Sequence, residues 1–250
     1  MIQIIPIKNI PIIRPGDNIV DIILNALKKN KLQLKDKDIL IIAQSIISKS
    51  EGNIINLDEI IPSKFAQILS KRLNKDAKHI EIILQESKSI VKISKGKIIT
   101  ESRLGFVCAD SGIDHSNSPT NTVTLLPKNP DASASKIRDE IMRNLGIEIA
   151  VIITDTHGRA FREGAINVAI GIAGLEPILD YRGTKDIYGN KLMTTKVAIA
   201  DELASAAELL MGEADEKIPI VLIRGYEYIS SNKKNLSNKL IRKEEDDLFR

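Results

Sequence analysis

Ala150-Val151-Ile152-Ile153-Thr154-Asp155-Thr156-His157-Gly158-Arg159, running on through Ala160-Phe161-Arg162-Glu163-Gly164, decides how this chain is read. Val151 to Ile153 is an apolar, β-branched run of the kind that forms a strand buried on both faces. It breaks into Asp155, Thr156, His157, Gly158 and Arg159, with Arg162 close behind. Ligands of α/β proteins gather beyond the carboxyl ends of strands. A carboxylate there suits a hard metal ion, and the two guanidinium groups suit an anion such as phosphate. The alternative is a solvated turn in which Arg159 pairs with Asp155.

Working outward, Met1–Ile7 and Asp38–Ala43 read as strands, and a helix with Ile19, Ile22, Ile23, Ala26 and Leu27 on one face is capped by Asp17 or Asn18. Gln44 to Gly52 reads as a strand-exit loop. Helices are predicted over Ser63–Leu73 and Asp76–Ser87, then a hairpin of Ser89–Ser94 and Lys97–Glu101 turning at Lys95-Gly96. Phe106–Ala109 is a short strand, and Ser133 is the predicted cap of a helix that stops at Gly146. Ile166–Ile172 is apolar, Val197–Met211 is mostly helical, and Ile218–Ile223 is a last core strand. The tail from Ser230 is charged and is expected to dock late or stay mobile.

The chain has 250 residues, enough for one large α/β unit or two intimate subdomains. Its 36 basic and 33 acidic residues leave a net charge of +3, too balanced to argue for nucleic acid. The one cysteine, Cys108, removes any disulfide framework, fits a reducing cytoplasm, and in its apolar run reads as a small buried hydrophobe. No apolar run is long enough to span a membrane. Neither GxxxxGK[ST] nor GxGxxG occurs, which excludes a P-loop and the simplest dinucleotide site.

Four strand-exit loops share a character, an apolar strand followed by small polar residues and a charge. They centre on Lys49, Asp114, Asp155 and Glu213. Together they predict one polar cleft in which Asp114, Asp155 and Glu213, with the Thr156 hydroxyl, ligate a divalent cation through oxygen. Magnesium and manganese rarely take a full protein cage, so phosphate oxygens would complete the shell. Lys49 could reach a phosphate as a point charge. Against this, each residue alone is equally a turn cap or a solvated surface group. His79 is placed on a surface helix without a role, and His115 and His157 only flank candidate ligands.

The chain resembles the coenzyme F420-0:gamma-glutamyl ligases. The matching segments run in order from Ile10-Pro11-Ile12-Ile13 through Gln44, Ile47-Ser48-Lys49-Ser50-Glu51-Gly52 and Gly112-Ile113-Asp114-His115-Ser116-Asn117. They continue with Ile152 to Arg159, Phe161-Arg162-Glu163-Gly164, Ala169-Ile170-Gly171, Asp186-Ile187-Tyr188-Gly189, Ala200-Asp201-Glu202 and Leu210-Met211-Gly212-Glu213. The resemblance implies a two-lobed α/β fold with mixed sheets, a homodimer, and GTP bound near the subunit boundary. It implies a catalytic unit over residues 1–228, with 229–250 a charged tail, and a GTP-dependent amide ligase. That enzyme joins L-glutamate to the terminal carboxylate of a deazaflavin precursor, F420-0, and adds a further gamma-linked glutamate.

By the same resemblance, Ile10, Pro11, Ile12, Ile13, Gln44, Ser45, Lys49, Asn117 and the run Met211, Gly212, Glu213, Ala214, Asp215, Glu216, Lys217, Ile218 line the GTP site. Asp114, Asp155, Thr156 and Glu213 would hold two divalent cations (Mg or Mn), with a potassium ion also associated. Asp155, Arg159 and Lys49 are the expected catalytic residues. The chain departs from the family pattern at Asp110-Ser111, where Asn and Ala are usual, and at Ser45 and His157. A phosphate-ester hydrolase, a ligase for another acceptor and a GTP-binding regulator without turnover are the competing readings.

Overall fold

The computed structural model describes residues 1–94 and 96–247. After strand β1 (Gln3–Pro6), helix α1 (Ile19–Lys29) begins at Asn18, whose side chain accepts from the amides of Val20 and Asp21. Strand β2 (Ile39–Ala43) runs straight into α2 (Gln44–Ser50). The expected loop is therefore a helix. Its Ser- and Lys-rich sequence hides Ile46, Ile47 and Ser48, which are all buried.

Strand β3 (Ile54–Asn56) precedes α3 (Lys64–Leu73), capped by Ser63, and α4 (Ala77–Glu86), capped by Asp76. Strands β4 (Ser87–Ser94) and β5 (Lys97–Ser102) form the expected hairpin; Lys95 in its turn lies outside the described residues. Next come β6 (Val107–Ala109), β7 (Thr122–Thr124) and α5 (Pro130–Leu145). The cap of α5 is Asn129, accepting from the Ala132 amide, and not Ser133. Pro130 at the first helical position, where no backbone N–H is needed, moves the start upstream. Gly146 ends the helix with a φ of 69°.

Strand β8 (Ala150–His157) pairs with β9 (Ile166–Leu175), followed by the short pair β10 (Leu179–Asp180) and β11 (Lys196–Val197). Helix α6 (Ile199–Met211), β12 (Ile220–Arg224) and β13 (Ser230–Ser231) complete the order.

Among the described residues, six strands form the central sheet in the order β1-β12-β2-β8-β9-β13. The β2–β8 pair is parallel and its neighbours are antiparallel, so the fold is mixed α/β. Alternation along β2 sends Leu40 and Ile42 into a core with α1, α2 and α5, and Ile39 and Ile41 into one with α6. Both faces are covered, which explains the unbroken apolar runs. A smaller core joins α3 and α4 to the β4-β5-β6 sheet through Ala66, Leu69, Ile80, Ile83 and Ile98.

Two close approaches lock α5 to β9. A Cβ on Gly171 would stand 2.5 Å from the Pro130 carbonyl carbon, so only glycine admits this contact. Asp131, 7% exposed, accepts from the Ile172 amide at 2.6 Å and from the Ser237 hydroxyl at 2.8 Å. The tail is thereby docked: Leu236 is fully buried and Ser230–Ser231 pairs with β9. Among the described residues no helix is long and apolar enough to cross a membrane.

Candidate functional site

The parallel pair brings the carboxyl ends of β2 and β8 side by side, with Ala43 opposite Thr154. A cleft of about 460 Å³ opens there. Its walls come from Ile10–Ile13, from Gln44, Ser45 and Lys49 of α2, from the loop of Asp114 and Asn117, from Asp155 and Thr156 of β8, and from Met211–Ile218. All four predicted loops therefore meet in one place.

Oxygen atoms crowd its floor. Thr156 Oγ1 lies 2.7 Å from both Asn167 Oδ1 and Glu213 Oε1, and its single proton can serve one acceptor at a time. Glu208, one helical turn before Gly212, also lines the cleft; burial first, then Glu213, pushes its pKa up to about 7. A Cβ on Gly212 would stand 2.2 Å from the Glu216 carboxyl carbon, so glycine lets the Glu216 side chain fold back over it. Asp155 Oδ2 is 3.0 Å from His157 Nε2. Asp114 accepts from the Ser116 amide at 2.7 Å and from its hydroxyl.

Among the described residues, no three His, Cys, Asp or Glu side chains form a ready metal cage. The donor set nevertheless fits a hard cation: surplus oxygens from Asp114, Asp155, Thr156 and Glu213 line one cleft, as a site completed by phosphate requires.

Lys49 projects from α2 and donates to the Asn117 carbonyl at 2.6 Å. Burial lowers its pKa, and the Asp114 charge pulls it partly back. Arg159 is not among the residues lining the cleft. Its guanidinium donates to the carbonyls of Glu163 and Gly164 and shapes its own loop, so the Arg159–Asp155 pair of the alternative reading does not form. His157 takes that position beside Asp155.

Sequence reasoning missed Glu208 and Asn167. Glu208 carried one signal, an acidic residue five positions before Glu213; Asn167 sits inside an apolar strand and carried none. It also misplaced His79, which is 6% exposed. Its Nδ1 is 2.6 Å from His115 Nε2, and its Nε2 is 3.9 Å from Asp110 Oδ2, an ion-pair distance too long for a hydrogen bond. Burial works against the Asp110 carboxylate, yet His79 and Lys75, the latter 2.5 Å away, outweigh it and hold its pKa below the usual range. The extra carboxylate at Asp110 is thus answered by Lys75 and His79. Cys108 is buried, and burial raises its thiol to about 12.

The family described as F420-0:Gamma-glutamyl ligase matches residues 8–225. The chain is 47% identical over 249 residues to the coenzyme F420:L-glutamate ligase of Methanothermobacter thermautotrophicus, covering 100% of this chain and 99% of that protein. It is 52% identical over 217 residues to the protein of the same description from Methanocaldococcus jannaschii, covering 87% and 86%. For Archaeoglobus fulgidus the figures are 35% over 249 residues, covering 100% and 96%. With that match spanning every segment that lines the cleft, the chain belongs to the F420-0:gamma-glutamyl ligase family.

Proposed function

We propose that this protein is a GTP-dependent ligase that joins the amine of L-glutamate to the terminal carboxylate of coenzyme F420-0, then adds a further gamma-linked glutamate. One observation carries the reading. The segments expected at a nucleotide and its cations, scattered from Ile10 to Ile218, line a single cleft beyond the parallel strand ends. The curated relatives are described as coenzyme F420:L-glutamate ligases, which supplies the substrate pair.

A carboxylate is a poor electrophile and must first be activated. Its oxygen takes the γ-phosphoryl group of GTP, the bond to the β-phosphate oxygen breaks, and GDP leaves. The glutamate amine then attacks the acyl phosphate, a C–N bond forms, the C–O bond to phosphate breaks, and the amine releases a proton. Phosphoryl transfer asks the protein chiefly for positioning and charge neutralisation. Asp114, Asp155, Thr156 and Glu213 would hold two divalent cations, which when bound neutralise phosphate charge. Lys49, held on a helix and lining the cleft, would meet the phosphates as a point charge. The backbone of Ile10–Ile13 and Gly212–Ile218 would enclose the nucleoside, and potassium is an expected activator.

Exposed Ile187, Tyr188 and Met193 on the arm between β10 and β11 support a homodimer, since large apolar side chains left in water suit burial against a second copy. Light scattering of the purified protein tests that assembly.

The deciding assay is mass spectrometry after incubation with GTP, magnesium or manganese, potassium, L-glutamate and F420-0. The expected result is one or more added glutamyl units, matched by GDP. GTP cleavage without glutamyl product would overturn the reading in favour of a hydrolase. Bound but intact GTP would favour a regulator.

A further inference from the structure

A second cavity, of about 230 Å³, lies on the other side of the Asp155–His157 pair. Asp155 lines the main cleft and His157 lines this one, 3.0 Å apart. The β8–β9 register repeats the relation: Asp155 stands opposite Val168, which lines the second cavity, while Thr156 stands opposite Asn167, which lines the first. The two spaces therefore adjoin across one strand pair.

The lining has three kinds of surface. Asp201, from the Ala200-Asp201-Glu202 motif that the reading of the cleft leaves without a role, accepts the Ala169 amide at 2.9 Å through Oδ1. Among the described residues Oδ2 has no hydrogen-bond partner. Burial raises the Asp201 pKa, with the Ala169 amide and then the His157 charge opposing it, so this carboxylate stands to gain from a further cationic partner. Phe106, Val168 and Leu240 supply apolar wall. Arg242 is exposed and offers a guanidinium fork, and the acidic Asp247 lines the same cavity. The volume is below the roughly 300–1,000 Å³ of drug-sized sites, so it suits a small metabolite rather than a nucleotide or a deazaflavin.

We infer that this cavity binds the amino-acid substrate, with Asp201 receiving its ammonium beside the Asp155–His157 pair and Arg242 receiving a carboxylate at the exposed side. The inference rests on the ligase reading, which requires an amine nucleophile to reach an acyl phosphate in the adjoining cleft. Asp201 lies within the segment that matches the family, whereas Leu240 and Arg242 lie beyond residue 225. The outer wall, which the relatives aligned over 249 residues also span, is docked through Leu236 and through Ile241, whose Cδ1 would be 3.3 Å from a Cβ on Gly105.

The test is steady-state kinetics of the full chain with GTP and L-glutamate varied separately. Arg242→Gln, at an exposed position that leaves folding undisturbed, is expected to raise KM for L-glutamate about tenfold, the scale of one charge-assisted hydrogen bond. KM for GTP stays within about twofold, and Arg242→Lys recovers part of the loss. Asp201→Asn, which keeps an acceptor for Ala169, raises KM for L-glutamate in the same way. Hydroxylamine, an amine without a carboxylate, reports on the main cleft alone: the ratio of hydroxamate to glutamyl product rises in Arg242→Gln. A glutamate KM indifferent to both variants overturns the inference, and so does a parallel rise in both KM values. A wild-type protein that makes no glutamyl product overturns instead the ligase reading beneath it.

Discussion

Thr156 Oγ1 sits 2.7 Å from Glu213 Oε1, tying the carboxyl end of β8 to the loop that follows α6. Two elements that are 57 residues apart in sequence thus share one oxygen-rich corner. Substituting Asp155→Ala in that corner removes a proposed cation ligand without opening the core. The expected outcome is a wild-type circular dichroism spectrum and melting curve, with kcat reduced at least by the roughly 100-fold that even outer partners of a metal site cost. Wild-type turnover would sink the cation assignment.

His79 offers a test of how the Asp114 loop is held. Its ring bonds His115, the neighbour of Asp114, while Lys49 grips the same loop through the Asn117 carbonyl. His79→Leu keeps the pocket filled but removes this bond. About tenfold more magnesium is expected for half-maximal activity, with kcat nearly unchanged. His79→Asn, which sets an amide near the Nδ1 position, should restore the wild-type metal requirement. A metal titration unaffected by His79→Leu would show that the loop holds itself.

Gly171 makes a stability prediction. An added methyl group would fall 2.5 Å from Pro130 atoms at the start of α5, where neither backbone can yield cheaply. Gly171→Ala is expected to cost about 1–3 kcal/mol, the usual range for overpacking, and to lower the melting temperature. Gly158, whose added Cβ would meet nothing within 4 Å, serves as the control.

Asp201 carries a pH signature. Burial raises its pKa in the folded protein, so ionising it costs folding free energy that protonation removes. That cost is absent below the unfolded carboxylate range, grows as pH rises from there toward the raised folded value, and is complete above it. Asp201→Asn should therefore melt at a higher temperature than wild type at neutral pH, and the difference should vanish near pH 3. Melting curves across that range, in the absence of substrates, decide the point.

Much of this was legible from residue order because the signals were local. Asn18, Ser63 and Asp76 announce helix starts through hydrogen bonds made within three residues, and each is found capping its helix. The convergence of Lys49, Asp114, Asp155 and Glu213 was legible too, since strand ends followed by small polar residues collect at one edge of a sheet. What sequence hid depended on distant partners. His79 reads as a surface residue on its own helix, yet it is buried beside His115 and the carboxylate of Asp110. Asn167 reads as a polar interruption in a strand until Thr156 stands opposite. The helix of Gln44–Ser50 was masked by its serines, which in isolation compete for backbone hydrogen bonds; here Ser48 is buried and bonds Gln44 one turn back, and Ser50 bonds the Ile47 carbonyl within the helix.

Asp131 and Ser237 bear on how the protein is made. During synthesis on the ribosome, Asp131 and its Ile172 partner emerge well before Ser237, which lies 106 residues downstream of Asp131. In that interval the nascent chain carries an acid whose remaining oxygen awaits a hydroxyl not yet translated. The finished fold is therefore sealed from its far end. A nascent chain halted before Ser237 is expected to be more sensitive to protease at the Pro130–Asp131 junction than the full-length protein.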